Sequence, residues 1–228
     1  MIKAVISDMD GVMLDSEKLY VHFWCEAGRF YGFPMEPKHA LGIRSMGRPF
    51  AIAKLRGWFG ASFDYDRVRA KRVELMNAHI AEHGIEAKPG ADKLLRWLKK
   101  NGYRVGLATA TAPKLAMGYL ERVGLLGYFD EICSARQVPH GKPAPDIYRF
   151  AANRLGVAPE DCIALEDSPN GVRSAASAGC KTVLVPDLDD PYEEVRELLF
   201  ARAESLEAVI GLLERERASE AFPPSTSI

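Results

Sequence analysis

Five short apolar runs, each ending in polar residues and separated by stretches of helical periodicity, constrain this chain more than any other feature. They cover 4–7, 105–108, 131–134, 162–165 and 182–185. Uninterrupted apolar runs of this length suit strands buried on both faces, and their alternation with amphipathic segments predicts a parallel sheet covered by helices. The punctuation agrees. Gly102, Gly124, Gly156 and Gly179 each follow an apolar-periodic stretch, where a helix stops most easily on a left-handed residue. Ser168-Pro169 reads as an N-cap followed by proline at the first helical position, and Pro113 or Pro145 is placed to open a helix in the same way.

The stretch from 15 to 84 breaks this rhythm. It holds two long helical patterns, about 16–31 and 65–83, and no strand pattern. The expected fold class is therefore α/β, a Rossmann-like parallel sheet core with an inserted all-helical cap lying over the carboxyl end of the sheet. Residues 1–14 and 85–213 form the core in this reading and 15–84 the cap. From 214 to 228 the polar sequence, ending in Pro-Pro-Ser-Thr-Ser, is expected to be a flexible tail.

Composition narrows the function. A formal net charge of -1 argues against general nucleic-acid binding, which draws its affinity from cations neutralising phosphates. Cys25, Cys133, Cys162 and Cys180 are scattered without a CxxC pair, as expected of reduced core residues. The charged run 8–15 follows the first residues at once, and no stretch of about 18 apolar residues occurs. A cytoplasmic monomer acting away from membranes is expected.

The strand ends carry the chemistry. The run Ala4-Val5-Ile6-Ser7 passes directly into Asp8-Met9-Asp10-Gly11, and residues two apart in extended chain point the same way, so Asp8 and Asp10 can face one site. Their mutual repulsion separates their titrations, leaving one free to act as an anion while the other carries a proton. In isolation the pair would also fit a solvated strand end. Glu166-Asp167 ends a second run, where Asp167 or Ser168 can cap the next helix, or where the two acids are further donors of an oxygen-rich cleft of the kind that hard Mg²⁺ favours. A third run ends in Thr109-Ala110-Thr111, where a hydroxyl and backbone N–H groups can hold phosphate oxygens. Lys142 sits between Gly141 and Pro143, a restricted setting for a point charge aimed at a fixed place.

Taken together and in this order, these segments resemble the haloacid dehalogenase-like superfamily of aspartate-dependent phosphohydrolases, in the branch with a helical cap that includes β-phosphoglucomutase and small-metabolite phosphatases. The resemblance rests on Asp8-Met-Asp10-Gly-Val, Ala108-Thr109-Ala110-Thr111, Gly141-Lys-Pro-Ala-Pro-Asp146 and Glu166-Asp167-Ser168-Pro-Asn-Gly171. It implies a Mg²⁺-dependent phosphatase acting on a small phosphomonoester. Asp8 would be the nucleophile and Asp10 the general acid and base. Thr109, Ala110 and Lys142 would hold the phosphoryl group, and Asp8, the Asp10 carbonyl, Glu166 and Asp167 the metal.

The cap departs from the mutase pattern. A histidine is expected there near the position of Tyr20, and His22 lies on another face of the helix. Mutase activity is therefore the second reading, and a phosphate-binding module without turnover the third. Arg44, Arg48 and Lys54 are candidate contacts to an anionic substrate, although solvated positions suit them equally. His79 and His83 have zinc-like spacing but no third ligand. Trp24, Phe30, Trp58 and Phe59 are expected to pack the cap. No nucleophile-elbow serine motif or P-loop is present.

Overall fold

The computed structural model describes residues 1–44 and 46–221. The chain opens with β1 (Ala4–Ser7) and then enters four helices: α1 (Glu17–Phe30), α2 (Pro37–Leu41), α3 (Arg48–Phe59) and α4 (Tyr65–His83). It returns through α5 (Ala91–Lys100), β2 (Arg104–Thr109), α6 (Pro113–Arg122), β3 (Glu131–Ser134), α7 (Asp146–Leu155) and β4 (Cys162–Glu166). It ends with α8 (Pro169–Ala178), β5 (Lys181–Leu184), α9 (Tyr192–Val195), β6 (Ala201–Arg202) and α10 (Leu206–Ala221).

The six strands form one sheet in the order β3-β2-β1-β4-β5-β6, and every pairing is parallel. β1 is central, and the chain moves outward first on its β2 side and then on its β4 side. Ser7 pairs with both Leu107 and Leu165, so the carboxyl ends of β1, β2 and β4 open at one level. That reversal of strand order is where open α/β sheets place their ligands.

Alternation along β1 divides the core. Val5 packs with Leu94, Leu95, Leu98 and Val209 on one face, while Ala4 and Ile6 pack with Ile147, Tyr148 and Ala151 on the other. α5 shows why it is helical: its buried residues Ala91, Leu94, Leu95 and Leu98 recur at i, i+3, i+4 and i+7. All five predicted runs are strands, displaced by one residue at most. β6 was not predicted; two residues on the sheet edge leave no alternation to read.

The inserted region is helical, as expected, with α1 and α4 close to their predicted spans. α2 and α3 are additions. α2 is one turn long, and α3 buries only Ala51 and Leu55, too little apolar surface to show a period. Trp24, Leu55, Phe63 and Val68 centre a separate apolar cluster of this region, which Phe59 joins from its edge. Trp58 packs on His39 at the cap surface while 41% exposed, whereas Phe30 is 65% exposed and does not fit the expectation; each lies beneath a lysine ammonium group. At the other terminus α10 continues through 214–221, inside the stretch expected to be a tail; residues 222–228 lie outside the described residues. Among the described residues no helix is long and apolar enough to cross a membrane.

Candidate active site

Asp8 is the first residue beyond β1, and its N–H donates to the Leu165 carbonyl of β4 at 2.9 Å. The two-residue spacing works as expected: Asp8 and Asp10 both line one cavity, while Met9 between them is buried in the core. Ser16 donates to one oxygen of Asp10 at 2.6 Å and Thr111 to the other at 3.0 Å. With its proton committed to Asp10, Thr111 Oγ1 accepts from the Tyr20 hydroxyl at 3.2 Å. Ser134 at the end of β3 braces this loop by donating to the Thr111 carbonyl at 2.7 Å. Gly11 turns the chain away at φ +85°, and a Cβ there would stand 2.5 Å from an Asp167 oxygen.

Lys142 is buried, and its ammonium donates to Asp8 Oδ1 at 2.8 Å and to Glu166 Oε1 at 2.6 Å. Tyr148, on α7, donates to the same Glu166 oxygen at 2.6 Å. The loop that presents Lys142 is tied to α8, where Ser174 donates to the Ala144 carbonyl. It is also tied to the cap, for the Gly47 N–H donates to the Lys142 carbonyl at 2.8 Å. Ser168, and not Asp167, caps α8 by accepting from the Gly171 N–H, which leaves Asp167 free to turn inward. Gly171 is required here, because a Cβ would fall 1.9 Å from Glu166 Oε2. With Glu166 pinned by Lys142 and Tyr148, Gly171→Ala is expected to cost about 1–3 kcal/mol in denaturant unfolding. Gly118→Ala, where a Cβ meets open space, is the control and is expected not to destabilise; equal effects at the two positions would refute the packing argument.

Oxygen atoms of Asp8, Glu166 and Asp167 lie within 4.8 Å of one another. Both Asp167 carboxylate oxygens are buried without a hydrogen-bond partner, and one oxygen of nearby Asp187 is likewise unpartnered. Buried carboxylate oxygens without hydrogen bonds are costly, and a donor set made only of oxygens suits a hard divalent cation. The residues present therefore fit a metal ion. Arg44, which projects from the cap, is 5% exposed and reaches this notch. Its Nη2 donates to the Asp167 carbonyl at 3.1 Å and to Asp189 at 2.7 Å, and its Nη1 stands 3.5 Å from an Asp167 oxygen. Of the three candidate cations in the cap, Arg44 is thus deeply buried, whereas Arg48 pairs with Asp66 and Lys54 lies over the Trp58 ring, both exposed.

Burial raises Asp8, Asp167 and the neighbouring Glu17. Asp8 is pushed up to about 7, by burial first and then by Glu166 and Asp10 against the lowering effect of Lys142. Glu17, buried beside Asp10, is pushed up to about 8, and Asp167 is raised well above the carboxylate range. An acid whose folded pKa lies above its unfolded one contributes stability that is complete below the unfolded value and is lost as pH rises through the folded value. Exposed Asp161, beside Lys3, is shifted the other way, and its contribution is lost as pH falls through its lowered value. The metal-free protein is therefore expected to melt at a higher temperature at pH 5.5 than at pH 8. A thermal melt in chelator that stays level or rises across that interval would contradict this electrostatic picture.

The cavity between cap and core encloses about 750 Å³. Asp8, Asp10, Ala110 and Thr111 reach it from the core and Tyr20, Trp24, Arg48 and Arg72 from the cap. Lys142, Glu166 and Asp167 are packed behind Asp8 and do not line it. Thr109 is buried, and its hydroxyl accepts from the Thr111 N–H at 3.0 Å. Ser16, Glu17, Thr111 and Tyr148 escaped the sequence reading, although Ser16-Glu17 directly follows the acidic run and Thr111 stands in a segment already singled out. His79 and His83 stack on each other and join no metal-competent cluster among the described residues. His140 is exposed beside Asp146. All four cysteines are free and buried.

Comparison with known proteins bears on this geometry. The family model described as haloacid dehalogenase-like hydrolase matches residues 2–179. A phosphorylated carbohydrates phosphatase of Thermotoga maritima is 32% identical over 195 residues, covering 83% of this chain and 88% of its own. The fructose-1-phosphate phosphatase YqaB of Escherichia coli is 30% identical, over 78% of this chain and 94% of its own. Among solved structures, β-phosphoglucomutase from Clostridium difficile superposes with a TM-score of 0.81 at 25% identity, over 97% of this chain and 99% of its own.

Proposed function

Because the chain belongs to the haloacid dehalogenase-like hydrolases, we propose that it hydrolyses a small phosphorylated metabolite, a sugar phosphate or similar phosphomonoester, through an aspartyl phosphate on Asp8. The observation that carries this reading is Asp8 itself. It faces the cavity, is held by the Lys142 ammonium at 2.8 Å, and shares a three-carboxylate notch suited to a divalent ion.

In the first step an Asp8 oxygen attacks phosphorus, the ester P–O bond breaks, and the departing oxygen takes a proton from Asp10. In the second, Asp10 recovers a proton from water as that water attacks phosphorus, releasing phosphate and restoring Asp8. Ser16 and Thr111 fix the Asp10 carboxyl for both transfers. Neither Lys142 nor Thr109 lines the cavity, so in this reading Lys142 would act on phosphoryl charge through its place against Asp8, and the Thr109 hydroxyl, which accepts from backbone, would have its proton left for a phosphoryl oxygen that reaches past Asp8. The Ala110 N–H at the mouth of the cavity supplies a further donor in this reading. Asp8, the Asp10 carbonyl, Glu166 and Asp167 would hold Mg²⁺, which when bound supplies charge neutralisation for the transferring group. Residues 15–84 act as the cap that excludes water from the cavity. The free buried cysteines favour a reducing, cytoplasmic setting, and a monomer suffices for this site.

A screen of phosphate release over sugar phosphates, nucleotides and phosphorylated acids, with Mg²⁺ and with chelator, tests the proposal. Metal-dependent release from at least one ester is expected; none from any would overturn it. Structural likeness to a β-phosphoglucomutase keeps a mutase as the second reading, recognised by an isomerised phosphosugar without net phosphate release.

A further inference from the structure

Five arginines line the cavity between cap and core. Arg44 and Arg48 are paired with carboxylates, and Arg136 stands exposed on the core rim. Arg69 and Arg72 differ. They lie three residues apart on α4, one helical turn, so both side chains reach the same face, and neither has a carboxylate partner among the described residues. Arg72 is only 8% exposed, its Nε is unpartnered, and its one hydrogen bond is a weak contact to the Met76 sulfur at 3.6 Å.

Asp10 feels the Arg72 charge through space but neither bonds nor ion-pairs with it, and a buried cation with no anion in contact is costly to keep, a cost that cation–π contact answers only in part. The Arg72 guanidinium lies 4.7 Å from the centre of the Tyr20 ring and 5.5 Å from that of Trp24. Rings that hold the flat faces of a guanidinium leave its N–H edge available, and that edge matches a carboxylate or phosphate with two parallel hydrogen bonds. Its position along the cavity is also fixed. Tyr20 carries Arg72 on its ring and reaches Thr111 with its hydroxyl, and Thr111 donates to Asp10. Arg72 therefore stands one tyrosine side chain and two hydrogen bonds from the acid that serves the departing oxygen, at the leaving-group end of the cavity.

We propose that Arg72, assisted by Arg69, binds a second anionic group, so that the preferred substrate is a phosphoester whose leaving group itself ends in carboxylate or phosphate. The proposal rests on the phosphatase reading above. Two matched pairs of substrates test it: phosphoglycolate against ethyl phosphate, and ethylene glycol bisphosphate against ethylene glycol monophosphate. Hydrolysis of p-nitrophenyl phosphate by the same preparation reports separately on phosphatase activity.

The natural protein is expected to favour the anion-bearing member of at least one pair by about tenfold or more in kcat/KM, chiefly through KM. Which pair shows the preference distinguishes carboxylate from phosphate. Arg72→Met is expected to abolish the preference and Arg72→Lys to restore part of it. Should Arg72→Met fail to fold, Arg69→Met, at a half-exposed position, is expected to weaken the same preference. Equal kcat/KM within both pairs for the natural protein, or a preference that survives Arg72→Met, would overturn the second-anion site while leaving the phosphatase intact. Absence of phosphate release from every ester, including p-nitrophenyl phosphate, would instead remove the reading beneath it.

Discussion

Asp8→Asn is expected to lower metal-dependent phosphate release by about three orders of magnitude or more, with the fold retained. An amide oxygen is a far weaker nucleophile than a carboxylate, and the proposed covalent intermediate has no other seat. The structure explains why the fold should survive: asparagine keeps an oxygen that can accept from Lys142, which now holds Asp8 at 2.8 Å. It also removes one of the repelling negative charges around Glu166 and Asp167. Phosphate release and thermal melting, measured on the same preparation, separate the two effects. Turnover at the natural rate by a folded Asp8→Asn protein would eliminate Asp8 as the nucleophile.

Lys142→Met is expected to fail in a different way, losing stability and activity together. The Lys142 ammonium lies between Asp8 and Glu166, and all three groups are buried. Removing one partner of a buried ionic cluster leaves the others uncompensated, at a cost of about 3–5 kcal/mol. Activity should fall by about two to three orders of magnitude, the usual effect of deleting a group that neutralises developing charge. A divalent ion places positive charge on the same carboxylates, so Mg²⁺ is expected to stabilise Lys142→Met more than the natural protein in denaturant titrations. A variant as stable as the natural chain without metal would show that the ammonium is not what holds these carboxylates together.

Much of this architecture is legible in the sequence because buried parallel strands leave an unambiguous trace. The run 162–165 reads as a strand whichever helices cover it, and Glu166-Asp167 then falls at its carboxyl end without further assumption. Ser168-Pro169 likewise marks the start of α8 from local chemistry alone. What stayed hidden depends on contacts between distant segments. Arg44 resembles a surface cation until the cap is folded over the core and its guanidinium meets Asp167 and Asp189. Tyr148 is one apolar-face residue of α7 among several, and only the position of that helix against β4 turns its hydroxyl toward Glu166. Thr109 and Thr111 carry the same chemistry two residues apart; the loop after β2 decides that Thr111 is the one bonded to Asp10. The extension of α10 into the polar stretch 214–221 shows the converse, a helix that persists where its apolar pattern has faded.

If a metal ion occupies the notch as proposed, the placement of Arg44 would tie ion affinity to the posture of the cap. Its guanidinium and any divalent ion draw on the negative charge of one carboxylate, Asp167, so whichever arrives second finds that charge already partly spent. Lifting the helical layer would carry the guanidinium off and leave the notch more receptive to metal, while lowering it would set the two positive charges in opposition. In the proposed reading, the domain that shelters the substrate would in this sense also antagonise ion loading.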